Sequence, residues 1–167
     1  MSDLNVTDTY YAGEAFVGYG SQLMVGDGAS PETFEAIADV ESITFGDMTT
    51  AIVDKTHLRS PDGHREKIAT IRDSGAFQIA GNWRPTHHSQ SNAGGGSSAF
   101  ASGGLVGLWR ARTERNFKLV LADGSPGTEV PFRGVISKFQ PGQVTVDGKV
   151  GFTAEVTPLR DFSASLP

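Results

Sequence analysis

From Val144 to Thr157 apolar and polar residues alternate almost without interruption. Val144, Val146, Gly148, Val150, Phe152, Ala154 and Val156 fall on one side of an extended chain. Thr145, Asp147, Lys149, Gly151, Thr153, Glu155 and Thr157 fall on the other. A period of two belongs to a β-strand with one buried face and one wetted face. One strand of this length would reach about 40 Å. Asp147-Gly148 is the place where a bulge or turn would interrupt it. Such a segment needs partner strands and an apolar layer beneath them.

The partners are present. Residues 116–121 and 130–139 are β-leaning runs separated by Asp123-Gly124 and Ser125-Pro126-Gly127. Gln140-Pro141-Gly142 punctuates the approach to the alternating segment. Further strands are expected at residues 22–25, 40–45, 48–53, 68–71 and 75–83. Ser30-Pro31-Glu32 predicts the start of a short helix, with Pro31 at its first position. Phe100, Gly104, Leu108 and Ala101, Leu105, Trp109 recur every four residues, which predicts one helix over residues 98–113. Two long loops remain, at 54–67 and 86–98. The fold expected is mainly β, a small sandwich or barrel with one flanking helix, in a single domain spanning residues 1–167. Arms are expected at about 1–17 and 159–167.

Composition removes several function classes. The 167 residues include no cysteine, so disulfides, thiolate metal sites and cysteine nucleophiles are excluded. The net charge of −5 argues against tight phosphate binding, which needs a basic surface. No apolar run reaches the ~20 residues of a membrane-spanning helix. The N-terminus, Met1-Ser2-Asp3-Leu4-Asn5, has neither the basic nor the apolar region of a secretion signal. No membrane partner and no cofactor are expected.

Candidate chemistry is sparse. His57 and His64, with Asp54, Asp62 and Glu66 nearby, are the best metal-ligand set, but a solvated polar loop explains them better and no metal site is expected. Residues 142–149 resemble a phosphate-binding loop loosely, with the wrong glycine spacing and Val150 where a hydroxyl is required. Trp83 and Trp109 suit core or interface packing. Arg110, Arg112, Arg115 and Lys118 form the densest basic cluster and suit a helix end or a subunit contact. No catalytic constellation emerges, so the expectation is a protein that is not an enzyme.

The order of features is more specific than any one motif. Gly20-Ser21-Gln22-Leu23 leads to a Gly-Asp-Gly turn and then Pro31-Glu32-Thr33-Phe34-Glu35-Ala36. Ser60-Pro61-Asp62-Gly63-His64-Arg65 and Asp73-Ser74-Gly75 follow. Arg115-Asn116-Phe117-Lys118-Leu119, an Asp-Gly turn and Phe132-Arg133-Gly134-Val135 precede the final alternating strand. Over residues 18–158 this resembles the major tail tube proteins of long-tailed, non-contractile, lambda-like phages. The resemblance implies six-membered rings that stack into a tube through which phage DNA passes without specific binding. It implies a virion location in the tail, after synthesis in the host bacterial cytoplasm. Its implied partners are copies of the chain itself, a tape measure protein, a tail terminator and distal tail or baseplate proteins. It assigns ring stacking to the terminal arms and to the long loop, here Asp54, Thr56, His57, Leu58, Arg59, Asp62, His64, Arg65 and Lys67. Six copies at −5 each give −30 per ring, which suits a wall that does not hold phosphate. A type VI secretion-like tube protein and a small-ligand-binding β-barrel are the alternatives.

Overall fold

A computed structural model describes residues 18–160. The arm expected at 1–17 lies outside them, as does most of the arm at 159–167. Nine strands and one helix run in the order β1 (Gln22–Gly26), β2 (Phe34–Ala36), β3 (Val40–Thr44), β4 (Thr49–Asp54), β5 (Lys67–Asp73), β6 (Phe77–Asn82), α1 (Leu105–Ala111), β7 (Arg115–Leu121), β8 (Thr128–Pro141) and β9 (Gly151–Pro158). Seven strands form one sheet in the order β2-β1-β7-β8-β9-β6-β3, while β4 and β5 pair only with each other. Every pairing is antiparallel.

The connectivity dictates a curled sheet. β2 and β3 occupy opposite edges, yet residues 37–39 alone join them. The edges of a flat seven-stranded sheet would lie about 29 Å apart at ~4.8 Å per strand. The linking chain spans at most about 14 Å. The sheet therefore wraps until its edges approach. Inside, the alternating residues of β1, β6, β7, β8 and β9 converge on one apolar cluster that includes Leu23, Phe77, Ile79, Phe117, Leu119, Val130, Phe132, Ile136, Phe152 and Val156. Phe77 of β6 stacks on Phe132 of β8 at 4.5 Å between ring centroids although β9 separates their strands. That contact crosses the interior.

The loop at 86–98 closes the wrap. Gln90 is 0% exposed. Its side-chain amide donates to the carbonyls of Ala38 (2.8 Å) and Asn82 (3.1 Å), and its Oε1 accepts from the Arg84 backbone N–H (2.6 Å). Ser89 Oγ accepts from the Ala38 N–H at 3.2 Å. The three-residue link is thus tied to the end of β6 by fully paired polar groups, the condition for burying them.

Three expectations need correction. The alternating segment is a strand only from Gly151. Residues 142–150 form the β8–β9 loop, with Val144 and Val146 exposed, and the longest strand is β8. The Asp147-Gly148 pair lies in a bend of this loop, as its turn reading expects, and Gly142 N–H bonds to Gly151 O across the loop base at 2.7 Å. The helix covers Leu105–Ala111, not 98–113. Its first N–H groups are capped by loop carbonyls, Leu105 by Ser89 O (2.9 Å) and Val106 by Gln90 O (3.4 Å). A Cβ on Gly104 would collide with that same backbone, so the helix starts there. No helix follows Pro31. Asp27 accepts from the N–H groups of Ala29 (2.9 Å) and Thr33 (3.2 Å) and from Ser98 Oγ (2.9 Å), which turns the chain directly into β2. The Thr33 hydroxyl heads these bonds, and together they hold the Asp27 carboxyl well below the usual carboxylate range.

Replacing Gln90 with alanine removes the partner of the Ala38 and Asn82 carbonyls and of the Arg84 N–H at a part-buried seam. The expected cost is about 1–3 kcal/mol, read as a fall of several degrees in Tm by calorimetry. An unchanged Tm would show that the link does not depend on this side chain.

Candidate functional site

β3 and β6 continue beyond the main sheet as β4 and β5. The joint is a glycine pair. Gly75 has φ 65°, and a Cβ there would meet Asp47 N at 2.7 Å; a Cβ on Gly46 would collide with the backbone of Ala76. Two backbones approach closely because neither residue carries a side chain. Asp73 Oδ1 accepts from the Gly75 N–H at 3.0 Å and fixes the bend. Beyond the joint, β4 and β5 form a two-stranded ribbon that leaves the barrel.

Every side chain of β4 and β5 is exposed. The register sets Val53 opposite Ile68 and Ile52 opposite Ala69, so both faces carry apolar residues. Ile52 is 56% exposed, Val53 51%, Ile68 48% and Ile71 78%; Met48 at the root and Leu58 at the tip are exposed as well. Scattered surface apolar residues need no explanation, but this many on one projecting ribbon mark an interaction surface. Isolated two-stranded ribbons are also marginally stable in water.

The nine residues singled out in the sequence all lie on this ribbon. Asp54 ends β4 and pairs with Lys67, the first residue of β5. Thr56, His57, Leu58, Arg59, Asp62, His64 and Arg65 form the tip, around a 3-10 turn at Pro61–Gly63. Local hydrogen bonds hold the tip: Thr56 N–H to Asp54 (2.8 Å), Glu66 N–H to Thr56 Oγ1 (2.9 Å), His57 N–H to Ser60 Oγ (3.0 Å) and Lys55 N–H to Glu66 O (2.9 Å). The Thr56 bonds, side chain first, lower the Asp54 pKa. Sequence reasoning singled out the tip and passed over the exposed apolar residues of the strands flanking it. Their signal was available, since Ile52, Val53, Ile68 and Ile71 surround a loop too polar to bury them.

The candidate chemical groups do not converge. His57 Nδ1 accepts from the Arg59 N–H at 3.1 Å, and its Nε2 lies 3.9 Å from Glu66. His88 pairs with Glu35 at 2.6 Å and stacks on His87. Among the described residues no group of three or more His, Cys, Asp or Glu could hold a metal. The basic cluster divides: Arg115 Nη1 donates to Asp27 O (2.9 Å) and Lys118 pairs with Glu129 (3.1 Å). Arg110 and Arg112 stay exposed beside Trp109, in a shallow groove with Val135, Ile136 and Ser137. A larger groove of about 670 Å³ runs along Val40, Glu41, Ser42, Ile43 and Phe45 to Leu119 and Leu121. No histidine lines either groove.

The profile of the lambda phage tail tube protein family matches residues 19–160. The chain belongs to that family. Comparison with curated protein sequences finds no match. Among solved structures, a chain from the tail of an empty GTA particle, refined with C6 symmetry, superposes with TM-score 0.61 at 14% identity, covering 88% of this chain and 96% of that one. A chain from the sheath/tube terminator of an extracellular contractile injection system gives 0.59 at 10% identity, covering 87% and 94%. One from the anti-feeding prophage baseplate gives 0.57 at 9%, covering 87% and 93%. The mainly β tail tube fold is thereby shared. The family is one of structural tail tube proteins.

The glycine joint gives a sharp test. A valine at position 75 must adopt a left-handed backbone and displace Asp47, which costs more than about 1 kcal/mol. Gly75→Val is expected to lower Tm and shift the β4 and β5 amide resonances, with the β7–β8 resonances nearly unmoved. A spectrum perturbed equally everywhere would show that the ribbon is not a separately jointed element.

Proposed function

We propose that this chain is the repeating subunit of a phage tail tube, assembled as stacked six-membered rings, with the β4–β5 ribbon as a contact between rings. The observation that carries the reading is the ribbon itself, a jointed projection apolar on both faces and exposed among the described residues. Burying such surface against another copy is favourable by about 25 cal/mol per Å² before association costs. Family membership supports the tube, and the C6 tail refined for the GTA particle supports the number six. Residues Asp54, Thr56, His57, Leu58, Arg59, Asp62, His64, Arg65 and Lys67 would order the contact at the ribbon tip, and the arms at 1–17 and 159–167 would add to it. The tube would conduct DNA without binding it, as the chain's charge of −5 favours. A tape measure protein, a terminator and distal tail or baseplate proteins would be its tail partners. It would be made in the host cytoplasm and reside in the virion tail.

The contractile-injection neighbours share the fold at 9–10% identity, whereas the lambda family profile covers residues 19–160, so the phage tail is preferred to a type VI-like tube. The ligand-binding barrel finds less support, because among the described residues the apolar cluster with its stacked phenylalanines occupies the interior.

Deleting residues 56–65 and bridging with glycines should leave a soluble subunit with nearly the parental Tm, since closure entropy varies slowly with loop length. Electron microscopy should show tubes for the parent chain at high concentration and none for the deletion. An unfolded deletion variant would place the tip in the core. Normal tubes from it would remove the tip from the stacking contact.

A further inference from the structure

Arg110 and Arg112 have no ion-pair partner among the described residues, and they share a groove with exposed Trp109 and an open strand edge. We propose that this groove receives the N-terminal segment of a neighbouring copy, residues 1–17, as a strand added along β8 with its carboxylates on the two arginines. This rests on the tube reading above and names where one of the arms goes.

The groove lies between the end of α1 and β8 and is lined by Trp109, Arg110, Arg112, Val135, Ile136 and Ser137. One wall is an open edge. β7 begins at Arg115 opposite Gly134, so from Val135 to Pro141 β8 has β9 on one side and no strand on the other among the described residues. Such edges take up extended segments through main-chain hydrogen bonds. Trp109 is 45% exposed, and tryptophan and arginine are the residues that most often anchor protein interfaces. Arg112 ends α1 in a left-handed backbone, φ 52°, a conformation that helix ends normally give to glycine. Two carboxylates near the groove are engaged elsewhere. Glu114 pairs with Arg133 at 2.8 Å, and Glu155 Oε1 accepts from Ser137 Oγ at 3.2 Å.

Charge and chain length select the occupant. Residues 1–17 carry Asp3, Asp8 and Glu14 and no Lys or Arg. Within them Val6-Thr7-Asp8-Thr9-Tyr10-Tyr11 is a run of β-branched and aromatic residues around one carboxylate, a composition suited to an added strand. The β3–β7 groove has no cation in its lining and so does not attract this segment by charge. Opposite charges across a contact fix its partner and register. β1 enters the sheet beside Val120, which faces Glu129 of β8, about 20 Å along that strand from Val135. It then runs toward the groove, so a segment preceding it reaches its own groove only by doubling back. Seventeen residues extend to at most about 60 Å, enough to cross to a neighbouring copy.

Because the chain has no native cysteine, single cysteines report this contact cleanly. Thr9→Cys keeps every carboxylate of the segment, and Ser137→Cys is nearly isosteric at an exposed position in the groove. A tagged T9C chain and an untagged S137C chain would be mixed, assembled, and treated with a short bifunctional maleimide. The expected result is a tagged–untagged dimer band in tubes and none in dilute subunits. Adding R110E and R112E to the S137C chain should remove the band, and adding D8K and E14K to the T9C chain should then restore it. Tubes that give no T9C–S137C band would overturn the proposal and leave the stacking reading intact. So would tubes in which T9C links to S42C instead, because the segment would then lie in the β3–β7 groove. A T9C/S137C double variant that cross-links within single dilute chains would also overturn it, since the occupant would be the chain's own segment. Parent chains that form no tubes would contradict the stacking reading itself.

Discussion

Residues 37–39 join strands at opposite edges of a seven-stranded sheet, and most other features answer to that short link. It forces the sheet to curl, and curling is what brings Phe77 against Phe132 across the interior. It also creates a seam whose backbone polar groups must be paired inside the protein. Gln90 and Ser89 supply the partners, so a loop rich in serine and glycine becomes part of the interior. That loop then occupies the space a longer helix would use, and its carbonyls cap the short helix that remains.

The same closure leaves β3 as an edge with β6 as its single neighbour. Past Phe45 the chain has no place in the barrel wall, and the Gly46–Gly75 joint releases both strands outward. An exposed apolar ribbon is an aggregation hazard in a monomer. Under the proposed tube assembly that exposed surface would be the contact, provided one arrangement of copies is strongly preferred. Polar restraint at the tip would favour one arrangement. Asp54, Thr56, Ser60 and Glu66 fix the tip's shape without help from the core, so little conformational entropy is left to lose on docking.

Much of the fold was readable in the sequence. β7 and β8 appear where their apolar runs and the Asp-Gly turn between them put them, because those signals are local. β1, β3, β5 and β6 follow their β-branched and aromatic runs closely. Errors arose where distant backbone decides a local outcome. Residues 98–104 have helical spacing, yet the passing backbone of Ser89 and Gln90 sets the helix start at Gly104. Residues 144–150 alternate like a strand, yet β9 has no partner to offer them, and Val144 and Val146 stay in solvent. Pro31 looks like a helix opener, yet Asp27 collects the nearby N–H groups. The candidate surface was half visible in the sequence. A long polar loop announces itself, whereas Ile52, Val53, Ile68 and Ile71 read as core until the structure shows them exposed among the described residues.

The central claim is that the ribbon is exposed in the subunit because another subunit covers it. Hydrogen–deuterium exchange on the same preparation, dilute and assembled, tests this most directly. The account predicts that amides of residues 49–73 exchange fast in dilute subunits and slow by orders of magnitude on assembly, while β7 and β8 are protected in both. Equal, rapid exchange of residues 49–73 in subunits and in tubes would contradict it.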